Sequence, residues 1–287
     1  MSTRHQLHLK IAPWALLSVA AVWGLAFVVM KDAIERQTVN NFLVSRFLVA
    51  VVVMILIRPQ CLKLMNKDLL TRGSLAGLFL GAGYILQTLG LARTGAAITG
   101  FITGLYIVFT PLLASLILKA RITKLTWACV GIATIGLALL SLQGWSIGTG
   151  ELLVLGSAFA FGAHIIALGK WSGGRDAYAL TVVQLSVCGV MAGVASIFEG
   201  GYQLPPDGGV WATVIFTAVF ATAVAFVVQT WSQAHMGTTK VAVILTMEVV
   251  FVAFFAIIFG GETLTLQKAL GGILVLVAMF VIVIKEP

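Results

Sequence analysis

The sequence predicts an all-α polytopic membrane protein, with ten transmembrane helices in two inverted five-helix repeats and both termini cytoplasmic. Three observations carry this. The 287 residues are 60% hydrophobic and only 10% charged, with a mean hydropathy of +1.07. A soluble domain carries about 25% charged residues. Apolar runs long enough to cross a bilayer core, about 20 residues, recur along the whole chain. Finally, GYILQTLGLARTG from Gly83 is echoed by AFVVQTWSQAHMG from Ala225. Strands do not fit, because a spanning barrel needs shorter, alternating segments.

The predicted spans are 12–30, 38–57, 73–92, 97–118, 124–141, 150–169, 179–198, 210–231, 241–259 and 265–284. The first imitates a signal peptide, with Arg4 and Lys10 before the apolar run and Ala20 and Ala21 inside it. The run continues to Met30, too long for a cleaved segment, and is read as a retained span. Short connections make successive helices antiparallel neighbours. Orientation follows from the excess of Lys and Arg in cytoplasmic loops. With the N-terminus inside, only Lys31, Arg36, Arg93 and Lys268 fall outside. Arg46 lies within a span, and all other basic residues fall inside.

The echo extends to most of the chain. Superimposing Gln87 on Gln229 pairs Thr88 with Thr230, Ala92 with Ala234 and Gly95 with Gly237, an offset of 142. An offset of 138 pairs Trp23-Gly24 with Phe161-Gly162 and Arg46 with Gln184. It is also expected to serve near Pro111, putting Thr110 opposite Glu248. Five is odd, so a second five-span unit starts on the opposite side. The expected repeats are 1–143 and 144–287, related by a pseudo-two-fold axis in the membrane plane.

These residues resemble the drug/metabolite transporter superfamily, in particular its EamA-type ten-span exporters. The resemblance rests on Trp23-Gly24, Phe27 and Lys31 in and after span 1, and on Arg46-Phe47 and Ala50 in span 2. The Gln87–Gly95 turn, Pro111 in span 4 and Glu248 in span 9 complete it. The family often has Glu-Pro in span 9, but Val249 follows Glu248 here, which puts a proline kink in question. The resemblance implies alternating-access transport of small metabolites or amino acids, usually outward. It also implies a central cavity lined by spans 1, 3, 4, 6, 8 and 9, with spans 5 and 10 behind.

The candidate substrate-binding residues are Trp23, Tyr84, Gln87, Tyr106, Phe161, His164, Gln229 and Glu248. Glu248 is the acid placed well inside a span, where burial in lipid is costly and such groups face a cavity or a partner. It is a candidate counter-ion for a substrate amine, or a proton acceptor; a structural hydrogen bond, to the helix backbone or Lys240, competes. His164 is a candidate proton relay, since histidine titrates near neutrality, against a packing role. Gln87, Gln229 and Gln184 either bind polar substrate groups or bridge helices. Trp23 and Phe161 occupy equivalent mid-membrane positions, and tryptophan normally prefers the interface. They are read as an aromatic wall, against simple packing. Tyr84 and Tyr106 offer hydroxyls to a mostly apolar pocket. For Arg46 the favoured reading is a stem that snorkels to the outer interface. A charge partner or carboxylate ligand is the other.

Gly73, Gly77 and Gly81 form a small-residue face on span 3, and Gly100 and Gly104 another on span 4, both suited to close helix packing. Pro111 removes a backbone bond from span 4. Trp14 and Trp127 read as interface anchors, and Cys61, Cys129 and Cys188 as buried, unpaired thiols. No nucleophile–base pair, H-E-x-x-H or P-loop appears. The expectation is no enzyme, no cofactor, no metal and no nucleic-acid partner. The partners are a small-molecule substrate and the lipid bilayer of the cell membrane, a bacterial inner membrane, with protons as the candidate coupling ion. The alternative is a passive pore or a non-catalytic membrane scaffold.

Overall fold

Thirteen α-helices make up most of the computed structural model, which describes residues 3–94, 96–141, 148–260 and 265–285. They are α1 (Thr3–Arg36), α2 (Val39–Ile57), α3 (Lys67–Leu91), α4 (Ala96–Gly104), α5 (Tyr106–Leu118), α6 (Lys124–Ser141), α7 (Thr149–Trp171), α8 (Ala177–Ile197), α9 (Gly208–Ala218), α10 (Ala225–Gln233), α11 (Thr238–Leu245), α12 (Met247–Gly260) and α13 (Leu266–Lys285). A 3-10 turn, Pro59–Leu64, follows α2, and a π-helical stretch, Val219–Val224, joins α9 to α10. No strand occurs among the described residues.

Every predicted span falls on helix. Among the described residues eight helical stretches are long and apolar enough to cross a membrane. The predicted spans 124–141 and 265–284 fall on α6 (Lys124–Ser141) and α13 (Leu266–Lys285). The boundary at 143/144 and Gly95 lie outside the described residues.

Polar side chains start the helices where sequence places them at loop ends. Asn66 Oδ1 accepts from Leu69 N at 2.9 Å, Asp176 Oδ1 from Ala179 N at 2.9 Å, and Asp207 Oδ1 from Gly209 N at 2.7 Å. Such caps satisfy first-turn N–H groups that have no helical partner.

Two spans are interrupted at matching places. Leu105 separates α4 from α5, and Thr246 separates α11 from α12. At each break the chain tightens to a three-residue bond, Val108 N to Leu105 O at 2.9 Å and Val249 N to Thr246 O at 3.1 Å. No proline is needed at the second break. In the first, α5 runs on through Pro111, so the interruption lies before the proline rather than at it.

The glycine face on α3 packs tightly on α8. A Cβ on Gly77 would lie 2.8 Å from Gln184 O and 2.9 Å from Val187 Cβ. Gly100 differs from expectation, since a Cβ there would meet nothing nearer than Val249 Cγ1 at 3.9 Å. Large apolar side chains such as Leu56, Leu116 and Phe220 stand exposed. Far more apolar surface is uncovered than a soluble monomer shows, as lipid contact requires. Trp14 and Trp127 are exposed as well, and Cys61, Cys129 and Cys188 are buried free thiols.

Loops expected on one side of the membrane meet. Arg58 grips Asp176 with both terminal nitrogens, at 3.0 and 2.9 Å. Arg175 reaches Asp68 at 2.6 Å. At the opposite end Arg36 reaches Asp207 at 2.7 Å. Burial pushes the Asp176 carboxyl up, but the Arg58 fork and the Ala179 N–H outweigh it and hold the group below its ordinary value. The sign follows. This clasp contributes fully above the unfolded aspartate value of about 3.9 and is lost as pH falls through the lower folded value. Arg58→Gln should therefore move the acid-unfolding midpoint of detergent-purified protein to higher pH, read from tryptophan fluorescence. An unmoved midpoint would remove the clasp from the acid response.

Candidate functional site

Two apolar clusters pack the interior, and Trp23 and Phe161 touch both. Between them lies a cavity of about 50 Å³, room for a few waters. All eight candidate residues line it: Trp23 from α1, Tyr84 and Gln87 from α3, Tyr106 from α5, Phe161 and His164 from α7, Gln229 from α10 and Glu248 from α12. Thr103 from α4, Leu245 from α11 and Phe226 from α10 complete its middle. No described residue of α6 or α13 is among the lining side chains. Arg46 on α2 does line it, so span 2 joins the set.

The aromatic wall is built around Tyr84. Its ring meets Phe47, Phe161 and Phe226 edge-on, with centroids 5.3, 5.6 and 5.9 Å apart. Trp23 leans on Phe226 at 5.4 Å. Edge-to-face contacts suit aromatic quadrupoles and contribute about 0.5–1.5 kcal/mol each beyond burial.

Arg46 corrects the sequence reading. It does not snorkel, being only 2% exposed. Its Nε donates to Thr222 Oγ1 at 2.7 Å, and its Nη2 to Tyr84 Oη and Ala221 O, both at 3.3 Å. The guanidinium also lies 4.9 Å above the Tyr84 ring. The cause is the π-helical stretch, whose Ala221 carbonyl and Thr222 hydroxyl draw the head inward. Trp23 Nε1 donates to the same carbonyl at 2.8 Å. Such widened turns recur at functional sites.

The amides are partly engaged. Gln87 Nε2 donates to Thr103 Oγ1 at 3.1 Å, and Gln229 Nε2 to Gln233 Oε1 at 3.0 Å. His164 Nε2 lies 2.7 Å from Gln184 Oε1. The Gln184 amide nitrogen donates to Leu180 O at 3.2 Å, which fixes the amide's orientation. His164 Nε2 is therefore the donor, and Gln184 serves as its helix-bridging partner.

Several polar groups of the lining are left over among the described residues. Tyr106 Oη and Gln229 Oε1 are buried without a hydrogen-bond partner. The Glu248 carboxylate, on a residue 8% exposed, accepts no hydrogen bond among the described residues. Among the described residues Arg46 Nη1 makes none either, and no ion pair joins Arg46 to Glu248. Glu248 sits in the first turn of α12, at the positive end of that half-helix's dipole.

Phe226, Leu245 and Thr103 were not singled out from the sequence, yet the repeat contained the signal. The separation that pairs Gln87 with Gln229 also pairs Tyr84 with Phe226, Thr103 with Leu245 and Tyr106 with Glu248, and all of these line the cavity. At that separation Tyr106, rather than Thr110, falls opposite Glu248.

An all-helical chain with lipid-facing apolar surface and a central cavity between interrupted helices defines a multi-pass membrane protein of the transporter class. The chain belongs to the EamA-like transporter family, whose family model matches residues 10–142 and again 148–284. It is 30% identical over 275 residues to an Archaeoglobus fulgidus protein described as an uncharacterized transporter, covering 96% of this chain and 86% of that one. A solved structure, described only as the crystal structure of a protein, superposes with a TM-score of 0.76 over 96% of each chain. Its identity is 14%, so that likeness speaks to the fold alone.

Proposed function

We propose that this chain is a secondary transporter that exports small metabolites, amino acids or related compounds, by alternating access around the central cavity. One observation carries the reading. Tyr106 and Glu248, without hydrogen-bond partners among the described residues, stand just past the two helix breaks and line one cavity with the buried Arg46. That is where transporter binding sites lie, and intramembrane charges with no structural partner mark substrate or ion paths. The eight lining residues first singled out are the proposed substrate contacts. The halves 1–143 and 144–287 are the proposed inverted repeats, with both termini cytoplasmic. Protons are the candidate coupling ion, with Glu248 as the acceptor.

Purified protein in liposomes tests the function. A transporter gives saturable uptake and counterflow across an amino-acid panel, and a coupled one responds to an imposed pH gradient. A passive pore gives flux without saturation, and a scaffold gives none. Topology is tested separately. Cysteine placed at Lys63 or Arg121 should react only with a reagent that reaches the cytoplasm. Labelling of either from outside would overturn the orientation.

A further inference from the structure

We propose that Arg46 and Glu248 form a two-point zwitterion clamp, so that the cavity takes α-amino acids with apolar side chains and refuses the matching amine or carboxylic acid. The inference rests on the transport reading and narrows its substrate class.

The geometry is unusual for buried charges. A guanidinium and a carboxylate line one small cavity, yet they form no ion pair with each other. Arg46 is held on three sides by Thr222, Tyr84 and Ala221. That fixes the guanidinium and leaves Nη1 without an acceptor among the described residues. Glu248 has no protein donor at all among the described residues. A buried charge without a partner is costly, and the two side chains do not pair directly in the structure. Substrate charges of opposite sign answer both at once. A carboxylate meets the Arg46 fork, which suits its planar shape. An ammonium meets Glu248, with the unpartnered Gln229 Oε1 as a second acceptor. Trp23, Phe161 and Phe226 line the same cavity and suit an apolar side chain, and its volume of about 50 Å³ means that a ligand of leucine's size enters only as the helices part.

Selectivity follows from what a truncated ligand leaves behind. An amine lacking the carboxylate strands Arg46 Nη1, and an acid lacking the amine strands Glu248. Sites built around polar groups reject ligands that leave those groups unpaired far more strongly than a methylene difference allows.

The test is competition against tritiated L-leucine bound to the purified full-length chain in detergent. The competitors are unlabelled leucine, 3-methylbutylamine (leucine without its carboxylate) and 4-methylpentanoate (leucine without its amine). In the wild type, each truncated ligand should compete about tenfold more weakly, or worse. Binding to the variants is read by thermal shift with the same three compounds. Arg46→Gln should bring leucine down to the level of the amine and leave the amine unchanged. Glu248→Gln should bring leucine down to the level of the acid and leave the acid unchanged. Arg46→Lys, which keeps the charge in case the glutamine variant does not fold, should retain the preference for leucine at reduced affinity. A structural role weakens all three ligands alike in either variant, and that result overturns the clamp. Equal competition by all three ligands in the wild type also overturns it, while leaving amino-acid transport standing. If no amino acid binds the wild type, the amino-acid reading falls and takes the clamp with it.

Discussion

Glu248→Gln should remove most transport, about tenfold or more, while folded protein remains in the membrane. The substitution keeps shape and volume but removes the charge and the exchangeable proton. In the structure the carboxylate supports nothing. It accepts no hydrogen bond among the described residues and lies in the first turn of α12, facing the cavity. Folding therefore loses little when the charge goes, whereas a substrate ammonium or a coupled proton loses its acceptor. Hydrogen bonds to a charged group contribute about 1.5–3 kcal/mol, and 1.4 kcal/mol is a tenfold change in rate or affinity. Glu248→Asp should keep a measurable fraction, since the charge survives on a shorter stem. The measurement is initial flux per folded molecule in liposomes, at neutral and mildly acidic pH. Wild-type flux and pH response in the glutamine variant would leave Glu248 a packing residue.

Gly24→Ala should be among the most destabilising single-methyl changes in the chain. A Cβ at that position would sit 2.6 Å from Phe251 Cβ, 2.8 Å from Val252 N and 2.9 Å from Phe251 C. Two of these are backbone atoms of α12, which no rotamer change can move. Helices α1 and α12 must part, and overpacking of this kind costs about 1–3 kcal/mol, occasionally more. Trp23 precedes Gly24, and Glu248 lies about one turn before Phe251 on α12, so cavity geometry shifts with the helices. Gly131→Ala on α6 and Gly193→Ala on α8 are the contrast, because a Cβ at either meets nothing within 4 Å. They should leave stability unchanged or raise it, since glycine weakens helix interiors. Thermal unfolding of the three variants in one detergent decides. A Gly24→Ala protein as stable as the two controls would mean that α1 and α12 are not in tight contact.

The helical layout was legible because a bilayer demands long apolar runs and leaves charge to the loops. The eight cavity residues were legible for the complementary reason. Gln87, His164 and Glu248 are polar exceptions in apolar runs, and Trp23 is a tryptophan away from the interface. Arg46 was not legible. Its stem is long enough to point either way, and the acceptors that draw it inward belong to a π-helical turn with no compositional mark. Phe226 was hidden because an aromatic in an apolar span says nothing by itself. Only its pairing with Tyr84 through the repeat sets it apart. The break at Thr246 carries no glycine or proline, so no local signal announced it.

The ion pairs at the two rims have a consequence for rates. Arg36–Asp207, Arg58–Asp176 and Arg175–Asp68 are all partly exposed, with at least a quarter of each side chain accessible. Exposed pairs contribute about 0–1 kcal/mol each, so neither rim is locked. Dissolved ions also screen them, over a Debye length of about 8 Å at physiological ionic strength. The Arg46 contacts deep in the cavity are shielded from that screening. Added salt should thus loosen the rims while sparing the centre, raising turnover where opening is slow and leaving ligand affinity nearly constant.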